Sequence, residues 1–295
     1  METKKKSLYI QRSLERVLKR AAREFPAVVL TGPRQSGKTT LLKHLFAKTH
    51  VYASLELPDL RASASADPRG FLKLYPPPVI FDEIQYAPEL LPYIKEDIDS
   101  RRSKRGQYVL TGSQNLLLME KVNESLSGRA AMLKLLPLTN REIQGYPDAA
   151  FSWEVKDGHS EKKQISYQDL WKRILQGCFP ELVSEPGRDI RLWHASYPQT
   201  YLERDVRSLR QVGDLTLFQN FLRTLAARSG GLLNLTELAR DLGVAVNTAK
   251  SWLSVLEATF QVVVIRPYFA NIGKRLIKTP KVFLPTSASS ATFPV

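Results

Sequence analysis

A glycine-rich loop near the amino terminus carries residue types that bind phosphate groups. Gly32, Gly37, Lys38 and Thr39 match the pattern G-x-x-x-x-G-K-[ST], with an apolar run before the loop and a helical pattern after it. Glycines let backbone N–H groups approach phosphate oxygens, a lysine can reach the β- and γ-phosphates, and a threonine hydroxyl is a hard ligand for Mg²⁺. The spacing therefore predicts a nucleoside triphosphate site. The residues expected to line it are Gly32, Pro33, Arg34, Gln35, Ser36, Gly37, Lys38, Thr39 and Thr40.

Two acidic residues at the end of a second apolar run complement this loop. The run 78–81 leads into Asp82 and Glu83. A carboxylate at a strand tip can hold Mg²⁺ through its water shell, and the next carboxylate can orient and deprotonate an attacking water. Asp82 and Thr39 are therefore the predicted metal residues. Glu83 is the predicted general base, and Lys38 is expected to act in catalysis as well as in binding.

A third apolar run, residues 108–110, also ends in polar side chains. The carboxyl ends of parallel strands share one edge of a sheet, so these side chains should point at the γ-phosphate and its water. Thr111, Ser113 and Gln114 are candidates for sensing that phosphate, and Gln114 is counted among the catalytic candidates. An ordinary polar turn after a strand explains the same residues, and the sequence does not choose among the three.

Apolar runs alternate with helical stretches through the first half of the chain. This alternation is typical of a parallel α/β sheet. The predicted strands are 28–30, 52–55, 79–81, 108–110 and 132–136. A preceding amphipathic helix is expected to pack on the core through residues at helical spacing. Those residues are Ile10, Leu14, Val17, Leu18 and Ala21.

The second half of the chain has a different character. Residues 146–166 are polar and turn-rich, and a helical pattern begins at Tyr167. Between Asp214 and Pro267, three helices followed by a strand fit a winged helix, with a return strand at 282–284. A DNA groove would then meet one face of the third helix, and phosphates would meet the basic residues of the wing. These candidates are Asn247, Thr248, Lys250 and Ser251 on the helix and Lys274, Arg275 and Lys278 beyond it. Winged helices also serve as packing or protein contacts, so DNA contact stays one of two interpretations.

The charge balance favours a polyanionic partner. The chain has 295 residues with 43 Lys and Arg against 29 Asp and Glu, a formal net charge of +14. One basic run, residues 101–105, is explained equally well as a solvated face. A single cysteine, Cys178, excludes an internal disulfide, and four scattered histidines do not predict a zinc site. No apolar run approaches the ~20 residues of a membrane span, and no secretion signal is evident, so we expect a cytoplasmic protein with no membrane contact.

The three motifs in this order resemble the AAA-type ATPases of prokaryotes, in which an ATPase core precedes a carboxy-terminal domain of unknown function. The segments 126–129, 135–139, 201–207 and 273–281 resemble the same family, and the likeness covers roughly residues 8 to 284. The resemblance implies that Lys38 binds ATP, that Asp82 and Glu83 serve Mg²⁺ and hydrolysis, and that a winged-helix segment precedes a nuclease-like domain. In ring-forming ATPases an arginine from a neighbouring subunit or the lid neutralises the transferring phosphoryl group. Arg129, Arg204 and Arg207 are the candidates here.

The end of the sequence departs from that family. Residues 285–295 have no helical or strand period, where relatives would continue into a nuclease-like fold. We therefore expect that the last domain was removed by a frameshift or truncation.

The predicted fold class is α/β, with a P-loop NTPase parallel sheet flanked by helices and followed by a helical and winged-helix region. The expected segments are an amino-terminal helix (1–24), an ATPase core (25–145), a connection and helical lid (146–212), a winged helix (213–268) and a basic tail (269–295). Three functions compete. The first is a Mg²⁺-dependent ATPase coupled to DNA or to a protein partner, which can include further copies of the chain. The second is a nucleotide-regulated DNA-binding or signalling adaptor with slow turnover, and the third is a truncated inactive fragment.

Overall fold

The computed structural model describes residues 9–113, 122, 124–150, 154, 165–201, 214–267 and 279–284. These residues divide into two compact units. One unit is Ile10–Pro147, and the other contains Tyr9 and the described residues from Asp148 to Leu284. The predicted segment boundaries at 145, 212 and 268 stay predictions. The predicted tail, 285–295, lies outside the described residues.

The first unit is built on a parallel sheet of five strands. They are β1 (Ala27–Thr31), β2 (Val51–Ser54), β3 (Val79–Asp82), β4 (Tyr108–Gly112) and β5 (Ala130–Lys134), in the order β2-β3-β4-β1-β5. Every residue of β1, β3 and β4 is buried, which explains why these strands read as continuous apolar runs. The predicted α/β class is confirmed. All five carboxyl ends lie along one edge, which we call the carboxyl edge.

Helices flank this sheet. They are α1 (Glu15–Glu24), α2 (Lys38–Phe46), α3 (Pro58–Ala66), α4 (Pro68–Leu74), α5 (Leu90–Ser100) and α6 (Asn140–Ile143), with a 3₁₀ turn at Ile84–Tyr86. Both α3 and α4 begin with proline, whose fixed φ suits the first helical position. The side chain of Asp67 caps α4 by accepting from the Gly70 N–H at 2.9 Å. The main core packs against the sheet, where the ring of Phe81 lies close to the rings of Phe71 and Tyr108.

Two sequence predictions need correction. The strand predicted at 132–136 is β5, Ala130–Lys134, because Leu135 and Leu136 leave the sheet to pass over the glycine-rich loop. Helix α1 does pack on the sheet through Leu18 and Ala21. Val17 was predicted to join them but is 38% exposed, because only part of the apolar spacing faces the sheet.

The described residues of the second unit form two separate apolar clusters. Helices α7 (Tyr167–Gln176), α8 (Pro180–Ser184) and α9 (Ile190–Tyr201) come first, and Phe179 packs against Trp193 and Tyr197 with ring centroids 4.7 Å apart. Helices α10 (Leu215–Ala227), α11 (Leu235–Asp241) and α12 (Val246–Ala258) follow. An antiparallel pair, β6 (Val263–Ile265) and β7 (Lys281–Phe283), completes the second cluster. Each of these five elements lies close to its predicted position.

Among the described residues, none of the helices combines the length and the apolar character needed to cross a lipid bilayer.

The contrast between Leu18 and Val17 gives a test of how α1 packs. Leu18→Ala should lower the free energy of unfolding by about 2–5 kcal/mol, because it deletes methyl groups from a site with no solvent exposure. Val17→Ala is the matched control and should change stability by less than about 1 kcal/mol, as expected at a partly exposed position. Urea denaturation of both variants measures the difference. Equal losses would mean that α1 does not pack as described.

Candidate nucleotide site

The glycine-rich loop leaves β1 at the carboxyl edge and leads directly into α2. Gly32 has φ +151°, and a Cβ atom added to it would lie 2.1 Å from the carbonyl oxygen of Leu135. Gly37 has φ +91° and precedes the first residue of α2. Only glycine fits at position 32, because the chain after β5 passes so close to it. The loop backbone is therefore fixed by its neighbours.

Lys38 lies inside this loop. Its side chain is only 5% exposed, and its ammonium group donates hydrogen bonds to the carbonyl oxygens of Gly32 and Pro33, each at 2.9 Å. The ammonium group therefore lies against the loop backbone. Phosphate oxygens are stronger acceptors for an ammonium than carbonyl oxygens, so a phosphate that enters the loop would compete for these hydrogen bonds.

The other loop residues differ in exposure. Pro33 and Ser36 are buried, Arg34 is half-buried with its guanidinium 3.3 Å from the Tyr86 hydroxyl, and Gln35 and Thr40 are exposed. The Ser36 hydroxyl oxygen is buried with no hydrogen-bond partner among the described residues. An orphaned polar atom of this kind in the loop fits a site that takes a polar ligand.

Asp82 and Thr39 meet at the carboxyl edge. The Thr39 hydroxyl donates to Oδ2 of Asp82 at 2.7 Å, although the two residues are 43 positions apart in the chain. Tyr52 donates to the same oxygen at 2.6 Å, and Thr111 donates to Oδ1. Three hydroxyl groups from α2, β2 and β4 therefore surround one nearly buried carboxylate.

This donor set fits Mg²⁺. A hydroxyl and a carboxylate oxygen are both hard ligands, and Mg²⁺ is usually held by one or two carboxylates together with water and phosphate oxygens. No group of three or more His, Cys, Asp or Glu that could hold a metal ion occurs in the described part of the chain. An ion bound by Thr39 and Asp82 would complete its coordination with phosphate and water.

Tyr52 was missed by the sequence analysis. Burial, the hydrogen bond to Asp82 and the charge of that carboxylate raise the pKa of the Tyr52 hydroxyl well above its ordinary value. The phenol therefore stays protonated and donates. The Lys43 ammonium group lies over the Tyr52 ring, 4.0 Å from its centroid. No motif signals this residue, and only the pairing of β2 with β3 brings it to Asp82.

Glu83 is held at the same edge by contacts to the end of β4. Its backbone has φ +58°, and its N–H donates to the Thr111 hydroxyl at 3.0 Å. Its carboxylate oxygen Oε2 accepts from the Ser113 N–H and the Ser113 hydroxyl, both at 3.1 Å, and from the Gln85 amide. Thr111 and Ser113 therefore contact the two carboxylates. Gln114, the third sensing candidate, lies outside the described residues.

Arg129 is not brought to this edge within its own chain. It directly precedes β5, so the length of a five-residue strand, about 16 Å, separates it from the phosphate loop. Its guanidinium makes two parallel hydrogen bonds to Asp99, at 2.7 and 3.0 Å. The other arginine candidates, Arg204 and Arg207, lie outside the described residues, as do Lys274, Arg275 and Lys278.

Arg12 is a second residue that the sequence analysis missed. Its guanidinium is nearly buried and donates to the carbonyl oxygen of Ser36 at 2.8 Å, to that of Leu136, and to Glu142 at 3.1 Å. A peptide unit is planar, with its N–H and C=O pointing in opposite directions. Holding the Ser36 carbonyl therefore turns the N–H of Gly37 away from Arg12. Arg12 thus fixes the backbone of the phosphate loop from the side away from the Gly37 N–H. We call the pair of Arg12 and Glu142 the brace.

Glu142 completes this brace. Its carboxylate accepts from the backbone N–H groups of Ser13 at 2.8 Å and Thr139 at 2.7 Å, and with Thr139 it forms the capping box of α6. Burial acts to raise the pKa of Glu142, but the Thr139 N–H, Arg12 and the Ser13 N–H outweigh it and hold the pKa below its ordinary value. By linkage, the ionised carboxylate adds stability above its ordinary pKa, and this is lost as the pH falls through the lowered one.

The sheet, loop and paired carboxylates define a P-loop NTPase fold. Residues 24–144 match the family model described as an AAA domain, and together with the loop geometry this supports an AAA-type P-loop ATPase domain. Residues 167–286 match a second model, described as a domain of unknown function. The winged helix and the nuclease-like domain that the resemblance implied are not confirmed by these matches.

Two relatives resemble this chain in sequence, and one solved structure resembles it in fold. The uncharacterized proteins Mb2031c of Mycobacterium bovis and Rv2008c of Mycobacterium tuberculosis are each 32% identical over 268 residues, covering 90% of this chain. The chain spans 56% of the length of these relatives. The Walker-type ATPase PABY2304 of Pyrococcus abyssi has a similar structure, with a TM-score of 0.59 and 17% identity over 96% of this chain and 95% of its own.

The brace behind the loop can be tested by substitution. Arg12→Met leaves Glu142 buried without its cation, so we expect about 3–5 kcal/mol of lost stability. Arg20→Met is the control, because Arg20 is 67% exposed and its pair with Glu24 is long at 3.9 Å, and it should cost less than about 1 kcal/mol. Urea denaturation measures both. Similar losses in the two variants would contradict the buried brace.

Proposed function

We propose that this chain is an ATPase that binds ATP with Mg²⁺ and hydrolyses it to ADP and phosphate. The observation that carries the proposal is the 2.7 Å contact between the Thr39 hydroxyl and Asp82, with Glu83 held beside it. Thr39 follows the phosphate loop and Asp82 ends a different strand, so the contact assembles a hydroxyl, a carboxylate and a neighbouring base at one edge. This is the set that phosphoryl transfer to water requires.

The loop and α2 would bind the triphosphate. Backbone N–H groups of the loop and the amino terminus of α2 favour phosphate oxygens, and Lys38 supplies a full positive charge. Thr39 and Asp82 would hold Mg²⁺, which when bound neutralises charge on the β- and γ-phosphate oxygens. The Tyr52 and Thr111 hydroxyls keep the Asp82 carboxylate in a fixed orientation for that ion.

Glu83 would act as the general base. Its carboxylate can accept a proton from a water that attacks the γ-phosphorus, provided that the water lies within hydrogen-bonding distance. Ser113 and Gln85 fix the position of this carboxylate. Gln114 stays the proposed γ-phosphate contact. Arg129 could act on a phosphoryl group only in trans, in an assembly of several copies, after leaving Asp99.

Coupling to DNA or to a protein partner is part of the proposal. Helices α10–α12 with β6 and β7 have the element order of a winged helix, and this supports the interpretation of residues 213–268 as such a domain. In the described part of α12, Asn247 and Lys250 are exposed, whereas Thr248 and Ser251 are half-buried. A cytoplasmic location is proposed because ATP is available there.

One observation favours a second candidate, a nucleotide-regulated adaptor with slow turnover. The Glu83 oxygen Oε2 already accepts from three donors, two of Ser113 and one of Gln85. A water would have to compete with these donors for Oε2. In that case hydrolysis would serve as a timer, and the nucleotide state would control binding to a partner.

Removing the lysine charge tests nucleotide binding. Lys38→Ala should abolish measurable binding of a fluorescent ATP analogue, because the phosphates lose their buried cation. Lys48→Ala is the control, since Lys48 is an exposed lysine beyond the end of α2. Equal affinity of Lys38→Ala and the parent would remove the basis of the proposal.

Neutralising the general base separates binding from turnover. Glu83→Gln should bind ATP as the parent does and lose about 10²–10⁴-fold in the rate of phosphate release. Glu89→Gln, an exposed carboxylate six positions on, should keep the parent rate. Unchanged phosphate release by Glu83→Gln would assign the proton transfer to another group. A very low rate in the parent itself, with tight ATP binding, would favour the adaptor.

A further inference from the structure

Helix α1 carries a continuous basic stripe on its exposed side. At 100° per residue, its four cations fall within one arc of about 100° and span about 10 Å along the helix. They are Arg16, Lys19, Arg20 and Arg23, and all are exposed. The opposite face of the helix, with Leu18 and Ala21, packs on the sheet. The stripe therefore faces solvent by the same geometry that buries the apolar side.

A second basic segment lies beside the end of this helix. The turn that follows α5 contains Arg101, Arg102, Lys104 and Arg105, all exposed. The next residue, Gly106, donates its N–H to the Phe25 carbonyl at 2.8 Å. A Cβ atom at Gly106 would lie 2.7 Å from the carbonyl oxygen of Ala22, so the two segments touch. We call the eight cations of α1 and this turn the basic edge.

Few carboxylates neutralise the basic edge. Glu24 lies 3.9 Å from Arg20, and Asp97 pairs with Arg101 at 2.9 Å. Lys19, Arg23 and Lys104 form no ion pair with any described residue. Arg102 interacts electrostatically with Asp99, which is itself paired with Arg129. Like charges gathered at one surface repel one another, and a bound polyanion removes that repulsion. The basic edge is thus a surface with excess positive charge, which a bound polyanion would neutralise.

The side chains around the basic edge indicate which kind of polyanion it binds. Within residues 16–26 and 101–107, Val17 is the only large apolar side chain that is exposed, and no aromatic side chain is exposed. A membrane-binding helix inserts apolar side chains into the lipid, and proteins that bind single-stranded nucleic acid stack bases on aromatic rings. Neither feature is present there. Arginine and lysine alone suit the regular phosphates of a duplex.

We propose that the basic edge binds the phosphate backbone of duplex nucleic acid without reading its sequence. This inference rests on the proposed coupling to DNA for the class of partner, and it moves the main contact from the predicted winged helix to the first unit. Helix α12 offers one lysine, Lys250. In the neighbouring α11 the exposed Arg240 is offset by Glu237 and Asp241, which also pair with Arg228. The basic edge therefore offers a phosphate backbone more positive charge than α11 and α12 do.

The position of this surface leaves the nucleotide site open. The turn 101–105 and the Arg23 end of α1 lie where the strands begin, whereas the phosphate loop, Asp82 and Glu83 lie where they end. The strand length of about 16 Å separates these cations from the loop. Arg16, at the other end of the stripe, lies one helical turn from Arg12. A duplex bound through the turn and the Arg23 end of α1 would therefore not block ATP, and both ligands can occupy the unit together.

The test compares two triple variants of the full chain with equal loss of charge. The first replaces Lys19, Arg102 and Lys104 by glutamine, and the second replaces the exposed Lys73, Lys172 and Lys250 by glutamine. Binding of a labelled 30-base-pair duplex is followed by fluorescence anisotropy at several salt concentrations. For the first variant, the slope of log K against log salt should weaken by about 0.9 for each phosphate that is no longer neutralised, as much as about 2.7 in all. The second variant should keep the parent slope.

Several outcomes would overturn the inference. Equal weakening in both variants would mean that only net charge matters, and a loss confined to the second would return the contact to Lys250. Parent-like binding by the first variant, or binding of anionic phosphatidylserine vesicles in place of the duplex, would also contradict it. A fluorescent ATP analogue is titrated in parallel, and the first variant should bind it as the parent does. Lys38→Ala should still bind the duplex, so failure of the ATP proposal and failure of this one give different results.

Discussion

The candidate site depends on one interaction, the sharing of the Asp82 carboxylate by hydroxyl groups from three separate elements. Thr39 comes from the helix after the phosphate loop, Tyr52 from β2 and Thr111 from β4. A nearly buried carboxylate is costly unless donors surround it, and here every donor comes from the carboxyl edge of the sheet. The parallel order of the strands brings these groups together, and the same edge receives Glu83. The strand order that defines the fold therefore also assembles the candidate site.

A second constraint acts from behind the loop. A phosphate loop binds with backbone N–H groups, so its peptide planes must be held before the ligand arrives. Arg12 holds the Ser36 carbonyl, and the Leu135 carbonyl lies where any side chain at position 32 would be. Glu142, in α6, pairs with Arg12 and forms a capping box with Thr139, so it holds both Arg12 and the segment after β5 at the start of that helix. The segment 135–139, which the sequence analysis treated as a point of resemblance and, at 135–136, as the end of a strand, thus has a physical role in shaping the loop.

Local sequence patterns predicted the strands, the loop and the meeting of Thr39 with Asp82, because each rests on a short motif within a parallel sheet. They did not predict Tyr52 or Arg12, whose contacts link residues 30 and 24 positions apart and depend on strand order and on the path after β5. Arg129, a candidate by resemblance for action from a neighbouring subunit or the lid, precedes β5 and so lies at the opposite end of the sheet within its own chain, and its role in trans stays a prediction. Spacing along the chain shows which residue types are present, and the topology decides which of them meet.

The central claim is that Thr39 and Asp82 form a magnesium site beside bound ATP. The most direct measurement is calorimetric titration of a non-hydrolysable ATP analogue, with and without Mg²⁺, in the parent, Thr39→Val and Asp82→Asn. The account predicts that Mg²⁺ tightens binding by roughly tenfold or more in the parent, a difference of about 1.4 kcal/mol, and has little effect in either variant. An equal response to Mg²⁺ in all three proteins would contradict it.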